Sequence, residues 1–345
     1  MMDAMPRTLR SLLLALSLLA LCVPTAAMGA DSEEISEIGD RRIDESSGLV
    51  ISPEHEDLAY TINDGDNPIV YAIEISTGNV VGTTRIRGGG VEDTESITID
   101  GNGRMWLADL GDNDKERDDT ALYAFREPGP GRHSVNAKRY PVSYEGGPAD
   151  IETFLVHPRT GEKFLATRDE KSPGKLYSLP KKLTRNGDNR ATDLDKSVPL
   201  DTSDGTFTPS GSQALIRTGY AVHVFDPETW SEVERLSVPE VENGESIAME
   251  PDGASFIIGS EGENSPLIRI AFRPPATSET TPPSEPTPPE ETSDAQSDES
   301  DEGATIPVYA IVAIAAAVIL ALVALWVARR RQHPWASGAV KRRSR

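Results

Sequence analysis

An all-β domain is predicted for the middle of this chain, on three observations. Between Asp31 and Arg273 helical periodicity is almost absent. Short alternating or apolar runs recur there, separated by Gly, Pro, Asn and Asp, which is how strands and their turns read. One pattern of strand, turn, strand, polar loop and strand also returns five times, and repetition at such a period marks an architecture built from stacked units.

The ends of the 345-residue chain differ in kind. Arg7 and Arg10 precede the twelve-residue run Leu12–Val23, followed by the small residues of "PTAAMGA". This is a secretory signal peptide over residues 1–29, cut near Ala27 or Gly29. As a helix the run would cover only about 18 Å, too short for a bilayer of about 30 Å. The 23 uncharged residues Ile306–Ala328 would make a helix of about 35 Å and are predicted to cross the membrane. Arg329–Arg331 follow at once, so the basic tail 329–345 is expected in the cytoplasm and the β domain outside. Residues 274–305 carry seven prolines, nine acids and no base. With no large apolar side chain, this stretch cannot bury a core, and proline and like charge extend it into a disordered stalk.

Charge limits the partners. Residues 31–305 hold 25 basic and 55 acidic side chains, a net of −30, which a phosphate backbone repels; nucleic acid is not an expected partner. Cys22, the only cysteine, lies in the leader, so neither disulfides nor a thiolate metal site is expected.

The five units begin at Ser46, Thr94, Asp150, Ser203 and Gly244, as in "SSGLVISPEHEDLAYTIND" and "TESITIDGNGRMWLADLGDN". Fourth strands follow in four of them: "NVVGTTRI", "AKRYPVSY", "LDKSVPL" and "EVERLSV". The fifth unit stops at Phe272, while "EISEIGDRRI" (Glu34–Ile43) precedes the first unit without a partner. This arithmetic predicts a β-propeller of four-stranded blades over residues 31–273, closed by its own N-terminal strand so that no long edge stays open. Five blades are expected, or six if a degenerate blade lies within Leu183–Asp204. Met105, Trp106 and Trp230 follow the strand pattern and are assigned to packing.

Aligning the five first strands gives one informative column: Ser47, Glu95, Glu152, Ser203 and Glu245. The innermost strand of each blade lines the central channel, so three carboxylates would point at a common centre. At ~7 Å and an effective dielectric near 20, each pair costs roughly 2 kcal/mol. Such a ring must be wet, partly protonated, paired with a basic residue or filled by a cation. Oxygen-only ligands favour Ca²⁺ over zinc, and an extracellular site has millimolar calcium to draw on.

"ITIDGNGRMWLADLGDN" resembles the NHL-type propeller repeat, a likeness at the level of class that implies fold and no particular function. The order Ser, Glu, Glu, Ser, Glu around five blades is similar to the central calcium site of the calcium-activated nucleotidases, the five-bladed apyrases. In position and acidity the loop "NDGDNP" (Asn63–Pro68) resembles that family's acidic substrate loop, without its D-D-R-T-G sequence. This resemblance implies a central Ca²⁺ before it implies nucleotide hydrolysis.

"NDGDN" (Asn63–Asn67), "DLGDND" (Asp109–Asp114) and "SEGEN" (Ser260–Asn264) follow the second strands of their units and should open on one face. They read as local turns, or as an acidic rim for a cation, a sugar or a basic partner. His55, His133, His157 and His223 show no metal-ligand spacing, and no G-x-S-x-G elbow or P-loop occurs. The expected function is that of a binding or scaffold module at the cell surface, anchored by Ile306–Ala328 and serving an extracellular ligand or protein. The alternative is a calcium-dependent extracellular hydrolase, a nucleotidase, phosphoesterase or lactonase-like enzyme. It would use the central channel, with Asp64, Asp66, Asp109 and Asp112 as candidate catalytic residues.

Overall fold

β-Branched and aromatic residues dominate the apolar runs from residue 31 onward, and each run becomes a strand in the computed structural model, which describes residues 31–88 and 90–274. The expected signal peptide, most of the stalk, the membrane helix and the basic tail lie outside the described residues. Among the described residues no helix is long and apolar enough to cross a membrane.

The domain is all-β. A lone strand β1 (Ser32–Ile38) comes first. The first unit is β2 (Ser46–Ile51), β3 (Leu58–Asn63), β4 (Ile69–Glu74) and β5 (Val80–Arg87). The second holds β6 (Thr94–Ile99), β7 (Arg104–Asp109), β8 (Ala121–Arg126), β9 (Gly131–Asn136) and β10 (Lys138–Tyr144). The third is β11 (Ile151–Val156), β12 (Lys163–Thr167), β13 (Gly174–Ser178) and β14 (Asn189–Val198). The fourth is β15 (Thr202–Phe207), β16 (Ala214–Thr218), β17 (Ala221–Asp226) and β18 (Ser231–Ser237). The last is β19 (Ser246–Met249), β20 (Ser255–Gly259) and β21 (Ser265–Ala271).

Apart from β9, successive strands of a unit pair antiparallel, as tight Asp/Gly/Pro turns require. The last unit gains its fourth strand from the N-terminus. β1 pairs antiparallel with β21, from Ser32 opposite Ile270 to Ile38 opposite Ser265, and buries Ile38. The expected strand Glu34–Ile43 is therefore shorter at its end, because Asp40 turns the chain and accepts the N–H of Ile43 through its carbonyl.

Two features depart from the sequence reading. Leu183–Asp204, a candidate for a sixth blade, instead supplies the ten-residue outer strand β14 and the start of β15. Strand β9 was not expected. It adds to β5 in parallel, with Gly82 beside Gly131 and Arg87 beside Asn136. A Cβ on Gly82 would stand 2.7 Å from the Gly131 nitrogen, so the close approach depends on glycine. "GRHSVN" carries almost no apolar signal because backbone pairing at an edge, rather than burial, holds it. β10 likewise pairs in parallel with β14, joining the second and third units into an eight-stranded sheet.

The five first strands lie side by side in a closed cycle: β2 against β6, β6 against β11, β11 against β15, β15 against β19, and β19 back against β2. Five separate apolar cores fill the spaces between neighbouring units. In one, Leu58 and Tyr60 of the first unit meet Met105 and Leu107 of the second; in another, Ala59 and Ile73 of the first meet Ile257 and Leu267 of the last. Every unit is thus sandwiched by two others, which leaves the inner ends of the first strands as the place where all five converge.

Candidate metal centre

The starts of four first strands are irregular. The pairing register slips between Ser46 and Leu49, between Thr94 and Ser96, between Ile151 and Thr153, and between Thr202 and Gly205. The residues inside these slips include Ser47, Glu95, Glu152 and Ser203, the very column that the alignment picks out. A bulge frees a residue from the ladder and re-aims its side chain, which brings a polar group to the axis on an otherwise apolar strand. Glu245 needs no bulge, since it precedes β19 directly.

Beneath this level Asp204 ties the ring together. Its carboxylate accepts the N–H of Leu49 at 3.4 Å and of Ile247 at 3.0 Å, and the hydroxyl of Ser96 at 3.3 Å, so β15 is bonded to β2, β19 and β6. Burial pushes its carboxyl up to about 7 despite these donors. Arg217, fully buried, donates to the carbonyls of Ser246 and Gly259.

Above lies a cavity of about 590 Å³ whose wall includes Asp64, Glu95, Asp150, Glu152, Glu245 and Glu261, with Arg168, Lys115 and Lys171 among them. The column residues divide into two groups there. Arg168 stands 3.6 Å from Glu152 and 3.5 Å from Glu245, with its Nε donating to Asp201. Burial opposes its charge, yet these carboxylates hold the guanidinium firmly protonated. Glu95 belongs to the other group. Asp64, Asp93 and Glu95 each offer a carboxylate oxygen, and the three oxygens lie within 4.8 Å of one another. The two serines face backbone: Ser47 donates to the Glu95 carbonyl at 2.7 Å, with the Glu95 Oε2 3.4 Å away. Ser203 donates to the Gly244 carbonyl at 3.5 Å.

Local chemistry gathers the triad. The N–H of Asp64 donates to the carbonyl of Glu45, and the Gly65 carbonyl accepts both the N–H and the hydroxyl of Thr94. The loop after β3 is thereby stapled to the start of β6. Gly65 sits at a φ of 88°, open to glycine without strain. Asp93, directly before β6, and Glu95, inside the bulge at its start, bring their carboxylates together. Gly111 makes the room: a Cβ there would stand 2.6 Å from both the Asp93 Oδ2 and the Glu95 Oε1.

The electrostatics are costly without an ion. At 4.8 Å and an effective dielectric of 20, two carboxylates repel by about 3 kcal/mol. Asp93 accordingly rises to about 7, through burial first and then through Asp64. Glu95, only 4% exposed, lies well above the usual carboxylate range through burial, Glu152 and Asp64. Glu152 is also raised, because burial outweighs Arg168. The Oδ1 of Asp64 is buried with no hydrogen-bond partner among the described residues. Clustered oxygens, one of them orphaned, beside a glycine cradle fit a hard divalent cation such as Ca²⁺.

The other candidates lie elsewhere. Asp66 is exposed and does not line the cavity. Asp109 accepts the N–H groups of Glu92 and Asp93 and forms a 2.9 Å ion pair with Arg117, so it positions the segment that carries Asp93 into β6. Asp112 caps its own turn, accepting the N–H groups of Glu116 and Arg117. The sequence reading passed over Asp93, and a signal was available for it. Two residues before the column stand Glu45, Asp93, Asp150, Asp201 and Asn243, a second, mostly acidic column just ahead of the first strands.

No protein-family model matches this sequence, and no curated protein is similar to it. Among solved structures, a glucose dehydrogenase aligns with a TM-score of 0.45 and 10% identity, over 70% of this chain and all of that one. A likeness so distant carries no argument about ligand or reaction.

Proposed function

We propose that residues 31–273 form a five-bladed β-propeller that holds a divalent cation, calcium in the extracellular medium, on Asp64, Asp93 and Glu95. The filled mouth serves as a ligand-binding surface. In this reading the domain stands outside the cell on the stalk 274–305, anchored by the helix Ile306–Ala328. The closed cycle of first strands supports the blade count. The observation that carries the function is the convergence of three carboxylates, one with an orphaned oxygen and two, those of Asp64 and Glu95, on the wall of an acidic cavity. In this reading the ring of five expected from the sequence gives way to an off-axis set, because Arg168 already occupies Glu152 and Glu245 as their shared ion-pair partner. Metal analysis of the purified full chain tests this reading: about one calcium per chain is expected, and less than a tenth of that in Asp93→Asn.

One observation favours hydrolysis as a second reading. Glu261 shares the cavity, and burial with Glu245 and Asp64 raises its carboxyl to about 7. A carboxyl that half-titrates at neutral pH beside a Lewis acid is suited to general acid–base work. Calcium-dependent turnover against a panel of nucleotides, phosphoesters and lactones, abolished in Glu261→Gln, is the result this reading requires.

A further inference from the structure

Beside the acidic cavity lies a second, smaller one of about 160 Å³, which shares Arg168, Asn243 and Glu245 with it and adds Asp201, Ser203 and Tyr220. Its volume is that of about five waters in the liquid, room for a single ring. Tyr220 is 68% exposed, the most exposed large apolar side chain among the described residues. It stands with Gly219 in the tight turn between β16 and β17, where Thr218 pairs with Ala221. Turn chemistry does not ask for an aromatic there; Gly, Asn and Asp are the residues that such turns select. Leu200, next to Asp201, is 47% exposed. Of the four exposed large apolar side chains among the described residues, Tyr220 is the one that lines this pocket.

The polar lining mixes one guanidinium with two carboxylates, an amide and a hydroxyl. Arg168 and Asn243 offer N–H donors, Asp201 and Glu245 offer acceptors, and the Ser203 hydroxyl does both. Arg168 is ion-paired with both Asp201 and Glu245, which leaves one acceptor charge in excess and disfavours an anionic ligand. An open aromatic face beside donors and acceptors in roughly equal number suits a neutral ring with hydroxyls on its edge. The C–H bonds on the face of a pyranose carry partial positive charge and meet the negative face of the phenol ring, while its hydroxyls each need a donor and an acceptor.

We infer that this side pocket is a carbohydrate subsite, with one neutral sugar ring stacked on Tyr220 and its hydroxyls bonded by Asp201, Arg168 and Asn243. Because Arg168, Asn243 and Glu245 form the wall between the two cavities, a glycan seated on Tyr220 extends toward the cation. This step extends the proposed function and depends on it only for where the remainder of the glycan goes.

The test uses the full chain in zwitterionic lipid nanodiscs, free of sugar detergents, on an array of neutral oligosaccharides ending in glucose, galactose, mannose or arabinose. Binding to at least one terminal sugar is expected. Tyr220→Ala should weaken it tenfold or more, Tyr220→Phe should retain it, and the melting temperature of both variants should match the parent. Asp201→Asn, which removes an acceptor without removing the platform, should weaken it severalfold. An array without signal, or binding equal in Tyr220→Ala, overturns the subsite. Repeating the array in EDTA separates the two proposals. Sugar binding that survives EDTA, by a chain in which metal analysis finds no ion even before EDTA, keeps the subsite and overturns the cation site, and calcium bound by a chain that retains no glycan does the reverse.

Discussion

Replacing Glu95 with glutamine changes the size of the side chain hardly at all and removes one of the three charges of the triad. In the absence of a cation the wild type carries repulsion of about 3 kcal/mol for each ionised pair, which it relieves by keeping protons on Asp93 and Glu95. Glu95→Gln deletes two of the three pairs, so in EDTA the variant is expected to melt at the same temperature as the wild type or above it. In calcium the order reverses. An ion bound only by the folded chain adds about 2.7 kcal/mol at a hundredfold excess over Kd. For a domain of this size that is roughly 5–10 °C in melting temperature. The variant loses a ligand and most of this gain. The assay is a thermal melt of the full chain in zwitterionic nanodiscs, in EDTA and in millimolar Ca²⁺ at constant ionic strength. A solvated acidic wall without a site would also gain from Glu95→Gln in EDTA, but would show no calcium term. Wild-type melts that coincide in the two conditions, with no ion found by metal analysis, refute the reasoning.

The remaining predictions concern protons, closure and topology. Asp93, Glu95, Glu152, Asp204 and Glu261 all have folded pKa values above the ordinary carboxylate range. Their protonation therefore favours the folded state, fully below about pH 4, and the share of Asp93, Asp204 and Glu261 is lost as pH rises through about 7. In EDTA the melting temperature should fall between pH 5 and pH 8. In calcium the fall should shrink without vanishing, since Asp204 lies away from the triad. Deleting residues 32–38 would strip β1 from β21 and expose the inner face that Ile38 covers. A loss of several kcal/mol is expected, a large part of the usual 5–15, and an unchanged urea midpoint would reject β1 as the closing strand. For the proposed topology, protease added to intact cells should release the domain by cutting between residues 274 and 305. A domain protected in intact cells, with an accessible C-terminal tail, would overturn that orientation.

Much of the architecture was legible because it repeats. Apolar alternation broken by Asp/Gly/Pro turns recurs with each unit, so strands such as "RMWLAD" and "AVHVFD" could be read directly, and an unpartnered strand at each end implied their pairing. β9 was not legible, since an edge strand held by backbone hydrogen bonds leaves no apolar pattern. In the site, the column Ser47, Glu95, Glu152, Ser203 and Glu245 could be found by alignment because the bulges that expose it occupy equivalent places. Its division into an Arg168 group and a triad could not. Arg168 follows a second strand, and Asp64 reaches the triad through a loop stapled by Thr94. Neither contact has a sequence spacing that announces it. Gly111 illustrates the same limit: it reads as a turn glycine, while its function in the fold is to leave space for two carboxylates.

Calorimetric titration of calcium into the full chain at pH 6.5, repeated in buffers of different ionisation enthalpy, tests the central claim most directly. If Asp93 and Glu95 hold protons that the ion must displace, binding is expected at one site per chain. Its heat should vary with the buffer as protons are released, and that variation should shrink at pH 9, where Asp93 is already ionised. Asp93→Asn should abolish both the site and the proton release. Absence of stoichiometric binding, or binding that Asp93→Asn leaves intact, would contradict the account.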